Sequence, residues 1–592
     1  MNDSLGKIIG IEGNIVTVKI DYSNILNLGN LMNIHTIFSD GKNVLVGEII
    51  KVDLELLKIA IVGELKDNAF IPGISIKPSF NASIRIVNKE ELVYILGSQE
   101  ASDDKISLGL SSVYPGYKIN VDVNSFFSNH FAILGNTGSG KSCTFSRLMQ
   151  NVFTTSKYLP VNANIFIFDA YGEYKNAFSF LHDFNNQLNF KSYTTNVINP
   201  DGPLLKIPLW LLDVDDIALL LGASQSSQLP IIEKALKLVP ILKGTGDEAM
   251  KLKNDIIARA ILDILKSGLD SIKIRDQITA VLTTFNTKLL NLESEIIQPG
   301  YVRTLKQCIF VDNSGKMQEI ELVVNFINTF VIEGFELPNP KGNVMYDLSD
   351  LEQALNFALI SEGILKSDKV FDYANVLSVR IHSLANSTSK EYFKYDRLVT
   401  RGGFITDLLT TSEGRKAQLI DFNINYVDDR LAKVMTKIIS KILFDYSISN
   451  ESRGKFPFHI IIEEAHRYVQ NDKDAELLGY NIFDRITKEG RKYGVLLGLI
   501  TQRPSELSET SISQCSNFLV LRTLHPKDLQ YIKEMVPNVS EEVLQILKTL
   551  QPGNAIAFGS AFKVPVSLKM EKPNPEPLSS NSDVAKIWYA LV

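Results

Sequence analysis

The sequence has few cysteines and no apolar run long enough to cross a membrane. Its three cysteines, Cys143, Cys308 and Cys515, are far apart and lack the spacing of metal ligands, so a disulfide framework is excluded and a reducing compartment is expected. No stretch approaches the roughly 20 apolar residues that span a bilayer, and no apolar signal core follows a basic start at the N-terminus. These absences predict a soluble protein of the cytoplasm that makes no membrane contact.

The chain also has little net charge. The 592 residues contain 61 Lys and Arg against 67 Asp and Glu, which gives a net charge of −6. A protein with a wholly basic surface for wrapping nucleic acid is therefore excluded. A local basic channel is not, because net charge does not describe how charge is distributed. The seven histidines are scattered and form no H-x3-H pair, so a zinc hydrolase site is not predicted either.

Residues 1–115 are predicted to form a small all-β domain. Short β-rich runs recur between turns of Gly, Asn and Asp, and they lie at Lys7–Ile11, Ile15–Asp21, Val44–Val52, Ile59–Val62, Ser83–Val87 and Leu92–Leu96. A barrel is favoured over a sandwich, because closure of the sheet removes exposed edges. The residues alone leave open whether this domain docks a partner or is a passive cap.

Residues 116–223 and 396–570 are predicted to be the two parts of one α/β core with a parallel sheet. In the first part, the strand Phe131–Leu134, a glycine-rich turn, a helix and the strand Asn164–Phe168 follow one another, as in a βαβ unit. The second part continues the alternation, and its strands are expected at Gln418–Phe422, His459–Ile462, Gly494–Ile500 and Phe518–Arg522.

Residues 224–395 are predicted to be a mostly helical insertion into this core, because apolar residues recur there at helical spacing. A hairpin is expected within it, with strands Gln307–Phe310 and Glu319–Val324 on either side of an Asn-Ser-Gly turn. Residues 571–592 are predicted to be a Pro-rich extended linker with an apolar tail. The tail is expected either to dock on a partner or neighbouring subunit, or to pack on its own domain.

The strongest motif is a loop that fits G-x-x-x-x-G-K-[ST] in full. Together with the residue that follows it, the loop is predicted to bind nucleotide phosphates through Gly135, Asn136, Thr137, Gly138, Ser139, Gly140, Lys141, Ser142 and Cys143. Its glycines allow backbone N–H groups to point inward. Lys141 is expected to reach the β- and γ-phosphates and the Ser142 hydroxyl to bind Mg²⁺, so ATP and Mg²⁺ are the predicted ligands.

Two adjacent carboxylates, Glu463 and Glu464, follow the apolar strand His459–Ile462. A nucleotide hydrolase needs one acid to hold the metal through its water shell and another to orient the attacking water. We therefore predict that Glu463 is the metal-side acid and that Glu464 activates the water. The alternative for an isolated pair of this kind is a strand that ends in ordinary surface acids.

Three further positions are candidates for the same site. Gln502 follows the next strand, where it is expected to sense the γ-phosphate and the attacking water. Arg491 ends the intervening helix, and it is either an arginine finger for a neighbouring subunit or a surface residue stabilised by the helix dipole. Asp169 and Glu173 follow the second strand and are expected near the nucleotide, without an assigned role, because open α/β sheets bind ligands at that edge.

Taken together, these motifs resemble the HerA family of hexameric DNA translocases, in the HerA–FtsK branch of RecA-like ATPases. The resemblance rests on LGNTGSGKS, FDAYGEY, IIIEEAHRY, KEGRKYG and TQRPSEL, which occur in that order. It implies an α/β fold with a RecA-like P-loop core, an N-terminal barrel similar to the HAS barrel, and a homo-hexamer with ATP between subunits. Arg491, with Arg522 as a second candidate, would come from the neighbouring subunit.

The resemblance further implies that double-stranded DNA is threaded through the pore. A nuclease or sirtuin-like effector would dock on the N-terminal barrel, in DNA end processing or antiphage defence. Six copies would carry 6 × −6 = −36 formal charges, so attraction to DNA would come from a narrow basic pore lining. The alternative is an ATP-binding ring that assembles and regulates an effector without translocation; a membrane-anchored pumping ATPase is less favoured.

Overall fold

The computed structural model describes residues 4–20, 31–100, 102, 104–155, 158–337, 344–363, 368–535, 541–579 and 584–589. Within them, residues up to 97 form a separate β-sheet with one helix. Its elements are β1 (Gly6–Glu12), β2 (Ile15–Ile20), β3 (His35–Ser39), β4 (Val44–Val52), β5 (Leu56–Lys66), β6 (Ala69–Pro72), β7 (Ser83–Ile86) and α1 (Lys89–Leu96). The strands are ordered β1-β2-β5-β4-β3-β7, and β6 pairs with β5.

The predicted strand Leu92–Leu96 is wrong, because these residues belong to helix α1. Asn88 and Glu91 form a reciprocal capping box: Asn88 Oδ1 accepts from the Glu91 N–H at 2.8 Å, and Glu91 Oε2 accepts from the Asn88 N–H at 2.9 Å. Such a box satisfies the free N–H groups of a first helical turn. Here that local stabilisation outweighs the strand preference of a short apolar run. Asp21, the last residue of the predicted run Ile15–Asp21, lies outside the described residues.

The next part of the chain contains β8 (Lys105–Ser111), β9 (Lys118–Asp122), α2 (Val123–Phe127), β10 (His130–Leu134), α3 (Lys141–Thr154), β11 (Ile165–Asp169), α4 (Tyr174–Phe178), α5 (Leu181–Phe184), β12 (Phe190–Thr194) and α6 (Val214–Leu221). Between this part and the rest of the core the chain is mostly helical. Its elements are α7 (Leu229–Lys243), α8 (Asp247–Leu265), α9 (Ser271–Thr284), β13 (Glu295–Gln298), β14 (Tyr301–Thr304), α10 (Leu305–Cys308), α11 (Ile320–Asn328), α12 (Leu348–Gly363) and α13 (Asp368–Asn386).

The core then resumes with α14 (Arg401–Leu409), β15 (Leu419–Asn423), α15 (Asp429–Ser449), β16 (Phe458–Ile462), α16 (Asp474–Leu478), α17 (Ile482–Tyr493), β17 (Val495–Thr501), α18 (Glu509–Ser513), β18 (Cys515–Val520), α19 (Pro526–Met535), α20 (Glu541–Thr549), β19 (Asn554–Gly559) and β20 (Val566–Met570). A last short helix is α21 (Val584–Trp588). No helix in the described part of the chain is long and apolar enough to span a bilayer.

The core sheet has eleven described strands in the order β12-β15-β11-β16-β17-β10-β18-β19-β20-β8-β9. Pairing is parallel from β12 to β18 and antiparallel from β18 to β9. The central strands β10, β11 and β17 are buried along their whole length. Such continuous apolar runs are typical of strands that helices cover on both faces. The α/β core is therefore present, and its sheet carries an antiparallel extension.

The predicted boundary at residue 115 is contradicted by strands β8 and β9. Both pair at the end of the core sheet, where β8 lies beside β20. The two strands are buried by the last strand pair of the core, β19 and β20, which lies about 450 residues further along the chain. Local sequence pattern could therefore not show that β8 and β9 belong to the core. The N-terminal sheet therefore ends before Lys105, and residues 105–122 belong to the core.

The predicted hairpin within the insertion is also misplaced. Gln307 lies in α10 and Ile320–Val324 in α11, whereas the hairpin of the structure pairs β13 with β14 around Pro299-Gly300. Thr304 caps α10: its hydroxyl accepts from the Gln307 N–H at 3.3 Å, and the Gln307 side chain accepts from the Thr304 N–H at 3.0 Å. The capping box converts the segment after the hairpin into a helix.

His130, the first residue of β10, provides a pH-dependent contribution to stability. Its Nδ1 accepts from the Leu497 N–H at 2.9 Å. Burial lowers the pKa of His130 to about 4, a backbone hydrogen bond at Thr487 opposes this shift, and the positive charge of Arg491 adds to it. A group whose folded pKa is depressed stabilises the fold above its unfolded pKa near 6.5, and this contribution is lost as the pH falls through the folded value.

We expect His130→Asn to keep the acceptor for Leu497 while removing the titration. Relative to the parent, the variant should lose about 2 kcal/mol less stability between pH 7 and pH 5. Urea midpoints at the two pH values measure the difference. Equal losses in both proteins would show that His130 is not a source of acid sensitivity.

Candidate active site

The phosphate-binding loop connects β10, at the centre of the parallel sheet, to α3. Gly138 and Gly140 have φ values of 74° and 98°, a left-handed conformation that glycine adopts without steric cost. At Gly135 a Cβ atom would lie 2.7 Å from Ser139 Oγ and 2.8 Å from Leu521 Cβ. The three glycines of the motif are therefore required by backbone conformation and by close packing.

The loop is held by residues that carry no motif in the sequence. The Asn136 N–H donates to the Arg522 carbonyl at 2.9 Å, and Asn136 Oδ1 accepts from the Leu524 N–H at 2.9 Å. The Gly553 N–H donates to the Ser139 carbonyl at 3.0 Å. The segments that follow β18 and α20 thus form the support of the loop. Only the tertiary fold brings them there, so the sequence patterns did not predict this support.

Lys141 and Ser142 point toward the two predicted acids. The Lys141 side chain is buried, and its Nζ lies 3.3 Å from the Asn136 carbonyl. Burial lowers the pKa of Lys141, while the nearby carboxylates Glu464, Glu463 and Glu173 act in the opposite direction. The Ser142 hydroxyl donates to Glu463 Oε1 at 3.4 Å. The structure therefore brings the predicted phosphate-binding and metal-binding residues together.

Glu463 is almost fully buried, with 3% of its surface exposed. Its Oε1 accepts from the Tyr174 hydroxyl at 3.1 Å, and its Oε2 has no hydrogen-bond partner among the described residues. Burial raises the pKa of Glu463 well above its usual range, and the charges of Asp169 and Glu173 add to the effect. A buried carboxylate with an unpaired oxygen beside a serine hydroxyl provides the oxygen ligands that Mg²⁺ prefers. The residues present thus fit the predicted metal.

Glu464 follows directly and has a strained backbone. Its φ and ψ are 46° and 44°, the left-handed region that non-glycine residues rarely adopt. Its Oε2 lies 3.3 Å from His466 Nδ1 and lacks a hydrogen-bond partner in the part of the chain that the structure describes. Strain of this kind costs of order 1–3 kcal/mol and is typically found at functional sites. The conformation directs a buried, unsatisfied carboxylate toward the Lys141 side of the site.

Gln502 lies at the end of β17, the strand between β10 and β16. Its Oε1 accepts a hydrogen bond from the Thr137 hydroxyl of the phosphate-binding loop. The contact places Gln502 against the phosphate-binding loop. Its role in sensing the γ-phosphate stays a prediction.

Arg491 and Arg522 lie at different distances from the phosphate-binding loop of their own chain. Arg491 is exposed in the last turn of α17 and lies near His130. His130 is at the amino end of β10, about 13 Å from the carboxyl end of that strand. Arg491 is therefore outside the site of its own chain. Arg522, considered for the neighbouring subunit, instead lies beside its own loop, where its carbonyl accepts from the Asn136 N–H.

Asp169 and Glu173 make different contacts: Asp169 holds a turn of the backbone, and Glu173 lies near Ser142. The Asp169 carboxylate accepts from the N–H groups of Tyr171 at 3.1 Å, Gly172 at 2.7 Å and Tyr174 at 2.9 Å. It therefore fixes the turn that positions Tyr174 against Glu463. Burial raises the pKa of Glu173, which lies near Ser142. Tyr174 was missed as a site residue, although it ends the FDAYGEY motif.

Residues 571–579, predicted to be a linker, are instead packed along α3. The Gln150 side chain donates to the Pro575 carbonyl at 2.9 Å and accepts from the Asn574 N–H at 2.9 Å, and the Leu578 N–H donates to the Glu173 carbonyl at 2.9 Å. Burial raises the pKa of Cys143, which faces the Ser579 side chain. The segment is extended as expected, but side-chain amides hold it beside the phosphate-binding loop. The apolar residues Ile587, Trp588 and Tyr589 are exposed.

A strand–loop–helix phosphate site in a parallel sheet, with two acids two strands away, defines the class of P-loop ATPases. A family model described as the central domain of the helicase HerA matches residues 107–327. The DNA double-strand break repair helicase HerA of Pyrococcus furiosus is 23% identical over 518 residues, 86% of this chain and 76% of that protein. A probable helicase of Methanocaldococcus jannaschii is 28% identical over 503 residues, 83% and 76% of the two chains.

Among solved structures, VirB4 of Thermoanaerobacter pseudethanolicus is 12% identical, with a TM-score of 0.42, over 80% of this chain and 98% of that one. The plasmid coupling protein TrwB in complex with ADP and Mg²⁺ is 13% identical, with a TM-score of 0.40, over 82% and 93% of the two chains. The chain is thus similar to HerA helicases over most of its length.

Proposed function

We propose that this chain hydrolyses ATP and uses the energy to move along double-stranded DNA. The observation that carries the proposal is the arrangement of Lys141, Ser142, Glu463 and Glu464 at one edge of the sheet, where both carboxylates keep an unpaired buried oxygen. Buried unpaired carboxylate oxygens are costly, and a phosphate-bound metal and a water are partners that would satisfy them. The names of the relatives, DNA double-strand break repair helicases, support DNA as the second substrate.

In this proposal each residue of the site has one task. Ser142 and Glu463 hold Mg²⁺, which when bound neutralises charge on the phosphate oxygens. The loop N–H groups and Lys141 bind the phosphates, and Glu464 orients a water and accepts its proton. Tyr174 keeps Glu463 in place, and Thr137 with Gln502 detects the γ-phosphate. Lys141, Glu463 and Glu464 are buried, so little water remains to screen the interactions of their charges.

We further propose that the chain acts as a ring of six, with Arg491 entering the site of the next subunit. Its exposed position, on the edge of the sheet away from its own loop, supports a role in trans. DNA would pass through a basic pore lining, since the assembly as a whole is acidic.

The N-terminal sheet is proposed to be a closed barrel, similar to the HAS barrel, that docks a nuclease or sirtuin-like effector. The Leu5 N–H donates to the Ile84 carbonyl at 2.8 Å, which connects the chain before β1 to β7 at the other end of the strand path. Large apolar side chains are exposed on this sheet, including Ile9, Leu54 and Phe80 at 52%, 88% and 61%. A docked effector would cover such apolar groups and gain the free energy of their burial. Co-purification of an effector with the full chain, lost on Leu54→Asp, tests the docking.

The experiment for the main proposal measures ATP hydrolysis with and without double-stranded DNA. We expect DNA to raise the rate severalfold in the parent, and Lys141→Ala to hydrolyse ATP at least about 100-fold more slowly than the parent with or without DNA. A rate that is indifferent to DNA of any length would overturn translocation and would favour the alternative of an ATP-binding scaffold. Single-molecule movement on DNA then separates translocation from DNA-stimulated hydrolysis alone.

The trans role of Arg491 predicts complementation between two inactive variants. Arg491→Ala and Lys141→Ala rings should each hydrolyse ATP at least about 100-fold more slowly than the parent, the loss typical of an arginine finger or a phosphate lysine. In mixed rings, an Arg491→Ala subunit keeps Lys141 and can receive Arg491 from a Lys141→Ala neighbour. Mixing should therefore restore measurable activity. Exposed Lys492→Ala, one position away on α17, is the matched control, and the absence of any recovery would assign Arg491 a surface role.

A further inference from the structure

Two arginines, Arg380 and Arg430, lie side by side at the carboxyl end of helix α6. Arg380 belongs to α13 of the helical insertion, and Arg430 belongs to the first turn of α15 in the core. Arg380 Nη1 donates to the Leu221 carbonyl at 2.8 Å and also to the Gly222 carbonyl. Arg430 Nη2 donates to the Leu220 carbonyl at 3.4 Å. The negative end of the α6 dipole thus holds both guanidinium groups, which we call the arginine pair.

The two guanidinium groups are close enough to bind one ligand together. Arg380 Nη1 and Arg430 Nη2 lie 2.7 Å and 3.0 Å from the point that a Cβ atom of residue 222 would occupy. Gly222 leaves that space free, and its φ of 62° is one that glycine adopts without strain. Burial lowers the pKa of Arg380, and the charge of Arg430 acts in the same direction. The fold therefore keeps two like charges together, and an anion bound to both would relieve their repulsion.

Carboxylates do not neutralise the arginine pair. Within the described ranges, the hydrogen bonds of both guanidinium groups go to carbonyl oxygens. The two acids next to Arg430 in the sequence have other partners: Asp429 forms an ion pair with Arg467, and Asp428 caps α15 by accepting from the Leu431 N–H at 3.1 Å. Arg430 is exposed and Arg380 is half-buried, so an anion from solution can reach them.

The loop beside the arginine pair is polar and contains no acid. Residues 222–232 include no Asp or Glu, although the whole chain has a net charge of −6. Ser224, Gln225 and Ser226 are exposed in this loop, and residues 226–228 contact α13. Gln228 Oε1 fixes the loop by accepting from the N–H groups of Ser224 at 2.8 Å and Gln225 at 3.0 Å. Hydroxyl and amide groups beside arginines are donors that proteins use to bind the phosphates of DNA.

The arginine pair lies at the same edge of the core sheet as the phosphate-binding loop, but away from that loop. Helix α15 follows β15, and the carboxyl ends of β15 and β10 share one edge because the strands between them are all parallel. Strands β11, β16 and β17 separate β15 from β10, which places the two strands about 19 Å apart. The arginine pair therefore cannot bind the phosphates that its own loop binds.

We propose that Arg380 and Arg430, together with the exposed loop residues 224–226, bind the phosphate backbone of double-stranded DNA. Each guanidinium donates to a phosphate oxygen, and the hydroxyls of Ser224 and Ser226 donate to the same phosphate or to the next one. A DNA strand presents a row of phosphates to a row of donors, whereas a nucleotide presents a single cluster. Contacts to phosphates carry no base-sequence information. This inference rests on the proposed function, because it names a place where the chain would hold the DNA that it moves along.

The test measures the affinity of the full-length protein for a fluorescent DNA duplex, by anisotropy at several salt concentrations and with an ATP analogue that is not hydrolysed. Arg430→Gln should weaken binding at least about fivefold, equally for two unrelated sequences, and should lower the slope of log affinity against log salt by about 1. Arg430→Lys keeps the charge and should keep most of the affinity. Ser224→Asp adds a negative charge at an exposed position and should weaken binding without removing a contact of the arginine pair.

The matched control is Arg453→Gln, the same change at an exposed position before the amino end of β16, which should bind DNA like the parent. ATP hydrolysis without DNA should stay at the parent rate in Arg430→Gln. Unchanged DNA affinity and salt slope in Arg430→Gln would overturn this inference alone. If that variant then lost DNA-free hydrolysis, the arginine pair would serve a nucleotide of a neighbouring subunit; if it instead lost calorimetric binding of inorganic phosphate, the pair would be a free-anion site. A parent that binds no DNA would overturn the proposed function as well.

Discussion

Glu464→Gln is expected to abolish ATP hydrolysis while preserving ATP binding. The substitution keeps the size and the hydrogen-bonding atoms of the side chain but removes the charge and the ability to accept a proton from water. Loss of a positioned general base typically costs about 10²–10⁴ in rate, so kcat should fall by at least about 100-fold. The affinity for ATP should change less than about threefold, because Glu464 is predicted to act on water and not on the phosphates.

Single-turnover hydrolysis and the binding of a fluorescent ATP analogue measure the two effects separately. The matched control is Glu476→Gln, which makes the same change at an exposed position on α16 and should leave both quantities at parent values. Gln and Glu are equally strained in the left-handed backbone conformation of residue 464. The melting temperature of the variant should therefore lie within a few degrees of the parent value. A kcat within tenfold of the parent would contradict the assignment of Glu464 and would direct attention to Glu463 and Glu173.

Lys141→Ala is expected to weaken nucleotide binding and to slow hydrolysis by orders of magnitude. Lys141 is the buried cation among Glu463, Glu464 and Glu173. Without it, the carboxylates of the site repel one another and the incoming phosphates. We expect ATP affinity to fall at least tenfold and kcat/KM to fall by about 10³, which corresponds to about 4 kcal/mol of transition-state stabilisation.

Equilibrium binding and steady-state hydrolysis with the variant test this prediction. Lys118→Ala, at an exposed position on β9, is the matched control and should behave like the parent. Because removal of one charge from a buried cluster also affects stability, the melting temperature of the variant should be compared with the parent in the absence of nucleotide. Nucleotide affinity that equals the parent's would show that the loop does not bind phosphate through Lys141.

Much of the core was predictable because its signals are local. The strands Phe131–Leu134 and His459–Ile462 are continuous apolar runs of strand length, and each is followed by its functional residues. The parallel sheet then brings the two strand ends to one edge, because right-handed crossovers leave few other arrangements. For this reason the motifs alone are enough to assign Lys141, Ser142, Glu463 and Gln502 to one site.

The errors have equally specific causes. Leu92–Leu96 and Gln307–Phe310 were assigned from apolar character, and in both segments a capping box decided for helix. Strands β8 and β9 were assigned to the wrong domain, because their partner β20 lies far away in the sequence. Residues 571–579 read as a linker, because nothing in a Pro-rich segment marks the Gln150 amide that binds it.

Local sequence is enough to define the class of site: a phosphate-binding loop, two acids after an apolar strand, and the order of the motifs. These features depend on residue types within one turn or strand, where short-range sterics and hydrogen bonding dominate. Tertiary packing, by contrast, established that Asp169 fixes the turn of Tyr174, that Arg491 lies away from its own loop, and that β8 and β9 join the core sheet. These contacts join segments that are far apart in the sequence. Which segments pack together is decided by the burial of the apolar faces of whole helices and sheets, and no local sequence pattern encodes it.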